Sequence, residues 1–172
     1  MEIVPIAPEH LTRFTKLILG IAREDMFAIR ADTLSEEAAR RFVERQLMDG
    51  APMFVALCDD RVVGWCEVSF SDADFHAHTG TLSMGVLHGY RSQGIGSWLI
   101  RKCLAASRSM GLERIEITVL ENNPDALRFY EGHGFVVEGC KRRSLRIGHT
   151  YHDETLMALL INQAFTQHHR AG

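Results

Sequence analysis

The feature that most constrains the fold is an alternating segment followed by a glycine-rich loop and an amphipathic helix. Residues 81–86 alternate polar and apolar side chains, which is typical of a strand with one buried face. Residues 91–96 then read Arg-Ser-Gln-Gly-Ile-Gly. The helix predicted after them, over residues 95–110, carries an apolar stripe and stops at Gly111. This order predicts a glycine-rich turn at the N-terminus of a helix.

Such a turn has the properties of an anion site. A helix N-terminus presents unpaired backbone N–H groups and about half a positive charge, so it binds phosphate readily. Gly94 and Gly96 lack the Cβ atoms that would hold a phosphate away, while Arg91, Ser92 and Ser97 add a charge and two hydroxyls. The nucleoside-triphosphate loop Gly-x4-Gly-Lys-Ser/Thr and the three-glycine dinucleotide fingerprint are both absent. Taken alone, the loop fits a plain strand-to-helix turn equally well.

Composition limits the class of protein. The chain has 172 residues, of which 46% are hydrophobic and 24% charged, so we expect an ordinary globular protein. A net charge of -3 without long single-sign runs argues against a nucleic-acid or membrane partner. The four cysteines form no Cys-x-x-Cys pair, and the N-terminus lacks a leader pattern. These observations predict a cytoplasmic protein.

The hydrophobic periodicity predicts a mixed α+β protein. Helices are expected at 11–22 and 35–48, the second capped by Ser35, and a short helix is expected to begin at Asn123. Trp65 and Trp98 are expected in the core. We predict one domain over residues 1–172 without repeats or linkers, with a frayed tail at 163–172. Strands are expected at 3–6, 54–57, 62–70, 81–86, 114–120, 135–137 and 155–160.

A second motif lies downstream of the glycine-rich loop. Residues 121–135 read Glu-Asn-Asn-Pro-Asp-Ala-Leu-Arg-Phe-Tyr-Glu-Gly-His-Gly-Phe. Together with Val86-x4-Arg91-x2-Gly94-x-Gly96, this segment closely resembles the GNAT superfamily of acyl-CoA N-acyltransferases. The resemblance covers roughly residues 52 to 160 and is weakest at its start. Two ordered motifs, each in a suitable strand and helix context, are far more specific than either alone.

The resemblance implies a GNAT-type fold, which is a strongly twisted mixed sheet, flanked by helices, whose fourth and fifth strands splay apart. Acetyl-CoA, the co-substrate, would lie in the wedge between those strands. By the same resemblance, residues 84–86 would pair with the pantetheine arm, residues 91–97 would hold the pyrophosphate, and α-helical residues 123–130 would complete the site. The implied cofactor-binding residues are Met84, Gly85, Val86, Arg91, Ser92, Gln93, Gly94, Ile95, Gly96, Ser97, Asn123, Ala126 and Tyr130.

Acetyl transfer to an amine needs an acid and a base. The resemblance brings Tyr130 near the sulfur, where it would protonate the leaving thiolate, although core packing also explains this residue. Some members use a glutamate on the fourth strand, but this chain has Gly-Thr-Leu-Ser at residues 80–83. Glu67 on the preceding strand is our first candidate for the base. His76, His78, Asp153 and a water chain are the alternatives.

Residues 134–157 resemble the branch that acetylates free amino acids, small amines, amino-acid-like herbicides and some protein N-termini. We therefore expect a small primary amine as the acceptor. A homodimer is a separate expectation for the assembly. The alternatives are a protein N-terminus or lysine as acceptor, or a non-catalytic acyl-CoA-binding module. Residues 24–27 are expected beside the acceptor pocket, with Tyr151 and Asp153 at its mouth. The histidine pairs lack the neighbouring Glu or Cys residues that are typical of a zinc site, so no metal is expected.

Overall fold

A computed structural model describes residues 1–22, 35–70 and 74–161. Within these ranges the strands are β1 (Glu2–Pro5), β2 (Met53–Cys58), β3 (Arg61–Phe70), β4 (Thr79–Val86), β5 (Arg114–Leu120), β6 (Val136–Ile147) and β7 (Thr150–Leu160). They form one sheet in the order β1-β2-β3-β4-β5-β7-β6. Neighbouring strands are antiparallel except β4 and β5, which are parallel. The sheet is therefore mixed, as expected.

Helices cover both faces of the sheet. They are α1 (Leu11–Ala22), α2 (Glu36–Asp49), α3 (Ile95–Ser109) and α4 (Pro124–Glu131). The first two pack on one face, in a core that includes Phe14, Val43 and Trp65. The other two pack on the opposite face, where Leu99 and Tyr130 lie in a second core. The sheet is thus the middle of three layers, and each face has its own apolar cluster.

The predicted helix signals operate as expected. Ser35 Oγ accepts a hydrogen bond of 3.0 Å from Ala38 N at the start of α2, and Glu36 and Glu37 lie in its positive first turn. Gly50 ends this helix with a φ of 64°, a left-handed conformation that glycine adopts without strain. The apolar stripe of α1 is buried as its spacing predicts.

Two predictions about side chains and strands need correction. Trp65 is buried, but Trp98 is 46% exposed and does not belong to the core. It lies on the flank of α3 beside Met1 and Ile3, where the sheet ends at its edge strand β1. The late strands are also longer than predicted, because β6 and β7 form a hairpin of 12 and 11 residues.

The length of β6 gives little signal in the sequence, because nearly all of this strand is exposed on both faces. No apolar alternation marks residues 138–147, and the pairing with β7 shifts register twice. Main-chain hydrogen bonds between strands need no such alternation. Residues 150–154, which precede the strand expected at 155–160, are therefore part of β7. The frayed tail and residues 24–27 lie outside the described residues.

No helix in the described ranges combines the length and apolar character needed to cross a bilayer. The same ranges contain no cluster of three or more His, Cys, Asp or Glu side chains that could hold a metal ion.

Candidate active site

The site lies where β4 and β5 separate. Their parallel pairing is limited to the segment in which Thr79, Gly80 and Thr81 lie opposite residues 114–116. Beyond Thr81 the fourth strand remains paired only with β3, while β5 continues beside β7. A cavity of about 550 Å³ opens at this point, and we call it the wedge cavity. It is lined by Met84, Gly85, Val86, Arg91, Ser92, Gly94, Gly96, Ser97, Asn123, Asp125, Ala126, Phe129 and Tyr130.

The glycine-rich loop forms one wall through its backbone. Gly94 adopts a φ of 81° and immediately precedes α3, so the first-turn N–H groups of this helix open toward the loop. A Cβ added to Gly94 would meet nothing within 4 Å, which means that it would project into open space. A Cβ on Gly96 would lie 3.3 Å from the Phe129 ring, so this glycine allows α3 and α4 to approach each other. The two glycines therefore have different roles.

Two predicted cofactor residues do not line the cavity. Gln93 Nε2 donates a 3.1 Å hydrogen bond to Gly89 O, which directs the amide back along the loop. Ile95 is buried in the core beneath α3. Arg91 does line the cavity, and its Nε donates to Val86 O at 2.9 Å, tying the loop to the end of β4. Gln93 and Ile95 thus shape the loop, because their side chains point along it and into the core.

The opposite wall is the start of α4. Asn123 Oδ1 accepts a 3.1 Å hydrogen bond from Ala126 N, and Pro124 follows at the first helical position. Sequence reasoning missed Asp125 and Phe129, which also line the cavity. Phe129 could have been found from helical spacing, since it follows Ala126 by three positions and residues so spaced share a face.

Tyr130 is held rigidly at the inner end of the wedge cavity. It is 7% exposed, and its ring packs edge-on against Phe129 and Phe135 at centroid distances of 5.3 and 5.6 Å. Burial raises the pKa of Tyr130 well above its ordinary value, and the nearby Cys66 thiol raises it further. The phenol therefore keeps its proton throughout the neutral range, as a proton donor must.

Glu67 is a buried carboxyl on the other face of the sheet. It lies opposite Ser83 in the pairing of β3 with β4 and shares its strand face with Trp65. It is 3% exposed, and burial raises its pKa to about 7, partly opposed by a 3.3 Å hydrogen bond from Ser69 Oγ. This carboxyl does not line the wedge cavity. Ser83, two residues before Gly85, lies between them along β4.

Comparison with known proteins identifies the family. The family model described as "Acetyltransferase (GNAT) family" matches residues 18–135, well over half of the chain. The chain belongs to the GNAT acetyltransferase family. A GNAT relative, L-amino acid N-acetyltransferase AaaT of Escherichia coli, is 30% identical over 111 residues, covering 63% of this chain and 68% of that protein.

Solved GNAT structures share the fold over nearly the whole chain. The ribosomal-protein-alanine N-acetyltransferase of Brucella melitensis superposes with a TM-score of 0.85 at 22% identity, covering 93% of this chain and 99% of that one. The protein yncA of Salmonella typhimurium, solved with acetyl-CoA, gives a TM-score of 0.84 at 19% identity and covers 95% of this chain and 96% of that one. As a GNAT enzyme, the protein is an acetyl-CoA-dependent N-acetyltransferase.

The wedge cavity of this GNAT enzyme suits acetyl-CoA in its chemistry. Open space beside Gly94, a helix N-terminus and the Arg91 guanidinium are appropriate for a pyrophosphate. The edge of β4 beyond Thr81 has no β5 partner, so its backbone is available to an extended pantetheine arm. The apolar Phe129 and the protonated Tyr130 also line the cavity.

The other candidate bases do not line the wedge cavity. His76 and His78 are exposed between β3 and β4, and neither lines the cavity. Asp153 lies on β7, where its Oδ1 accepts a 2.7 Å hydrogen bond from the backbone N of Arg143. Arg143 has a φ of 54° within a register shift of β6, and its guanidinium covers the ring of the exposed Tyr151 at 4.1 Å. Asp153 therefore stabilises an irregular turn of the backbone.

Proposed function

We propose that this enzyme transfers the acetyl group of acetyl-CoA to the primary amine of a free amino acid or a close analogue. The observation that carries the proposal is the 30% identity to an L-amino acid N-acetyltransferase over 111 residues. A net charge of -3 without an extended single-sign run also gives little electrostatic basis for docking a macromolecule.

In the proposed complex, the pyrophosphate binds at the N-terminus of α3. The support is the open space beside Gly94, together with Arg91, Ser92 and Ser97 on the same wall. The pantetheine arm follows the free edge of β4 toward Tyr130, passing Asn123 and Ala126 on the opposite wall. When bound, acetyl-CoA supplies an activated thioester whose acyl group passes to the amine and whose sulfur leaves.

Tyr130 is the proposed general acid. Its hydroxyl belongs to a buried ring clamped by Phe129 and Phe135, so it can be aimed at the leaving sulfur without loss of side-chain entropy at that step. Its raised pKa keeps the proton in place until negative charge develops on the sulfur.

Glu67 is the proposed general base. A carboxyl with a pKa near 7 can take a proton from an ammonium group near neutral pH far better than an ordinary exposed glutamate. Because Glu67 does not line the wedge cavity, the proton of the amine must reach this carboxyl through another group. We assign that role to the Ser83 hydroxyl or to a water beside it.

A screen of acceptors tests the proposal. The purified enzyme is incubated with acetyl-CoA and one of three acceptor classes: free amino acids, polyamines, or peptides with a free N-terminus. The rate of thiol release is followed, with Nα-acetylated amino acids as blocked controls. We expect kcat/KM to be highest for one or a few free amino acids. Rapid acetylation of peptide N-termini, with free amino acids inert at millimolar concentration, would favour the protein-modifying alternative. Cofactor binding without thiol release in any class would favour the binding module.

A further inference from the structure

A second cavity lies behind the proposed base. It lies between the end of α2 and the end of β3, has a volume of about 440 Å³, and is called the rear cavity here. Its walls are formed by Arg45, Gln46, Asp49, Ser69 and Phe70. Ser69 lies opposite Thr81, at the end of β4 that is paired with β5, whereas the wedge cavity begins beyond that residue. The two cavities are therefore on opposite sides of Glu67 along the strands.

Ser69 connects Glu67 to this rear cavity. The two side chains are two residues apart on β3, so they project from the same face. Ser69 Oγ lies 3.3 Å from Glu67 Oε2 and donates to the carboxylate. Ser69 is half-buried and lines the rear cavity, whereas Glu67 is almost fully buried. The serine hydroxyl is thus placed between the carboxyl and an accessible space.

The rear cavity is also suited to hold water. The cavity is much larger than one water requires. Arg45 and Asp49 on α2 and Ser69 on β3 line the same space, so water held there has polar side chains on both walls.

A buried base has a requirement that an exposed one does not have. After each turnover Glu67 carries the proton taken from the amine, and it must lose that proton before the next cycle. The wedge side is then filled by product and cofactor. A separate route on the far side of the carboxyl meets this requirement without waiting for the wedge to empty.

We propose that Ser69 passes the proton from Glu67 to water in the rear cavity. In this step the Glu67 carboxyl donates its proton to Ser69 Oγ while the Ser69 hydroxyl donates its own proton to a water molecule. One proton leaves the carboxyl, one reaches the water, and the serine is restored by rotation of its hydroxyl. The inference rests on the proposed role of Glu67 as the base. Ser69 acts through Glu67 and does not contact the substrate.

Few other charged groups face this carboxyl from the described residues. Across the sheet its neighbours are Met53 on β2 and Ser83 on β4, neither of which titrates near pH 7. The adjacent Cys66 thiol has a pKa raised by burial. On α2, Arg45 forms an ion pair with Asp49 at the rim of the rear cavity. From α1, the core side chains on this face are the apolar Phe14, Leu17, Ile18 and Ile21, and the buried Thr15 carries no charge.

The test compares Ser69→Ala with Ser69→Thr, which keeps the hydroxyl. We expect Ser69→Ala to lower kcat roughly tenfold, less than the 10² or more expected for loss of a base. Ser69→Thr should retain most of the activity. Loss of the donated hydrogen bond should also raise the pKa of Glu67, because that bond stabilises the carboxylate. The acid limb of the pH–rate profile should therefore move to higher pH in Ser69→Ala only.

Two further readouts separate a relay from a packing role. Imidazole, which can enter the rear cavity as a mobile proton carrier, should restore turnover of Ser69→Ala and leave Ser69→Thr unaffected. In the protein without acetyl-CoA, the ¹³C resonance of the Glu67 carboxyl, assigned by its loss in Glu67→Gln, should titrate at higher pH in Ser69→Ala.

The outcomes are distinguishable. Suppose that Glu67→Gln is impaired, while Ser69→Ala keeps full turnover, shows no shift of its acid limb and does not respond to imidazole. The relay is then wrong and the base assignment stands. If Glu67→Gln turns over like the unmodified enzyme, both the base and the relay are wrong. Neither result depends on which amine is the acceptor, because any ammonium substrate must lose a proton.

Discussion

The wedge cavity and the β6–β7 hairpin are built on different principles. The wedge is formed by short contacts between adjacent elements, with an aromatic cluster beneath it and glycines at the closest approaches. Nearly all of β6 is exposed on both faces, and its pairing with β7 shifts register twice. Its irregular part is held by hydrogen bonds that Arg143 N donates to Asp153 Oδ1 and that Ser144 Oγ donates to Glu154 Oε2. Substitutions in the wedge should therefore affect chemistry, whereas those in the hairpin should affect local order.

The largest expected effect is at the loop. Gly94→Asp places a carboxylate in the open space assigned to the pyrophosphate. Saturating acetyl-CoA should raise the melting temperature of the unmodified enzyme by roughly 5–10 °C, and this shift should disappear in the variant. Thermal shift with acetyl-CoA, ATP and NAD measures this directly, and neither nucleotide should stabilise the unmodified protein.

Gly111→Asp is the matched control for the loop variant. Gly111 follows the other end of α3, has a φ of 87° and also has nothing within 4 Å of an added Cβ. Both substitutions therefore carry a similar backbone strain, but only one lies at the wedge cavity. If the Gly94→Asp protein is folded and acetyl-CoA still stabilises it, the loop is not part of the cofactor site.

Tyr130→Phe should have the next largest effect. The ring and its edge-on contacts remain, while the proton donor is lost. We expect kcat to fall roughly 10²-fold with little change in acetyl-CoA binding. Tyr90→Phe removes a hydroxyl outside the wedge cavity and serves as the control. Undiminished turnover of Tyr130→Phe at several pH values would leave this tyrosine with a packing role only.

Comparison with Glu67→Gln tests whether the buried Glu67 carboxyl lowers the free energy of unfolding when it ionises. Because folding raises its pKa from 4.5 to about 7, the folded state holds the proton more tightly than the unfolded chain. Its contribution to stability is therefore fully present below pH 4.5 and is lost as the pH rises through 7. Relative to Glu67→Gln, the unmodified protein should lose about 3 kcal/mol of unfolding free energy between pH 4.5 and pH 8.

Urea denaturation at the two pH values measures this difference. Glu44→Gln, on the exposed side of α2, is the control and should follow the unmodified protein. Parallel pH dependences for Glu67→Gln and the unmodified protein would show that the carboxyl ionises normally. Such a result would weaken its assignment as a base near neutral pH.

The same contrast explains what could be predicted from the sequence. The wall of the wedge depends on local rules, such as glycine at a left-handed position before α3 and Asn123 with Pro124 at the start of α4, so short motifs were sufficient. The bounds of α1 were predicted from its apolar spacing alone. The two wedge residues that were missed, Asp125 and Phe129, lie on the same helix as predicted ones.

Other features depend on contacts that no local pattern encodes. The exposure of Trp98 follows from where the sheet ends, since an apolar stripe on α3 does not reveal which of its residues pass beyond the edge strand. The Gln93 side chain hydrogen-bonds to Gly89 O in the folded loop, a contact that the motif does not reveal. The length of β6 was obscured because its residues alternate neither in polarity nor in burial.

The smallest expected effect is at Asp153, which the sequence placed at the mouth of the acceptor pocket. In the structure its Oδ1 accepts from the backbone N of Arg143, at a residue with φ 54°, and its Oδ2 lies 3.9 Å from Cys140 Sγ. Asp153→Asn weakens a charge-assisted but solvent-exposed hydrogen bond, so we expect a loss of at most about 1 kcal/mol in unfolding free energy. The KM values for the amine and for acetyl-CoA should both remain nearly unchanged. Ser144→Ala, which removes the neighbouring bond to Glu154, should produce a similar small loss. The opposite result is a higher amine KM in Asp153→Asn, but not in Ser144→Ala, with the acetyl-CoA KM constant. Asp153 would then bind the acceptor, and the hairpin would be part of the active site.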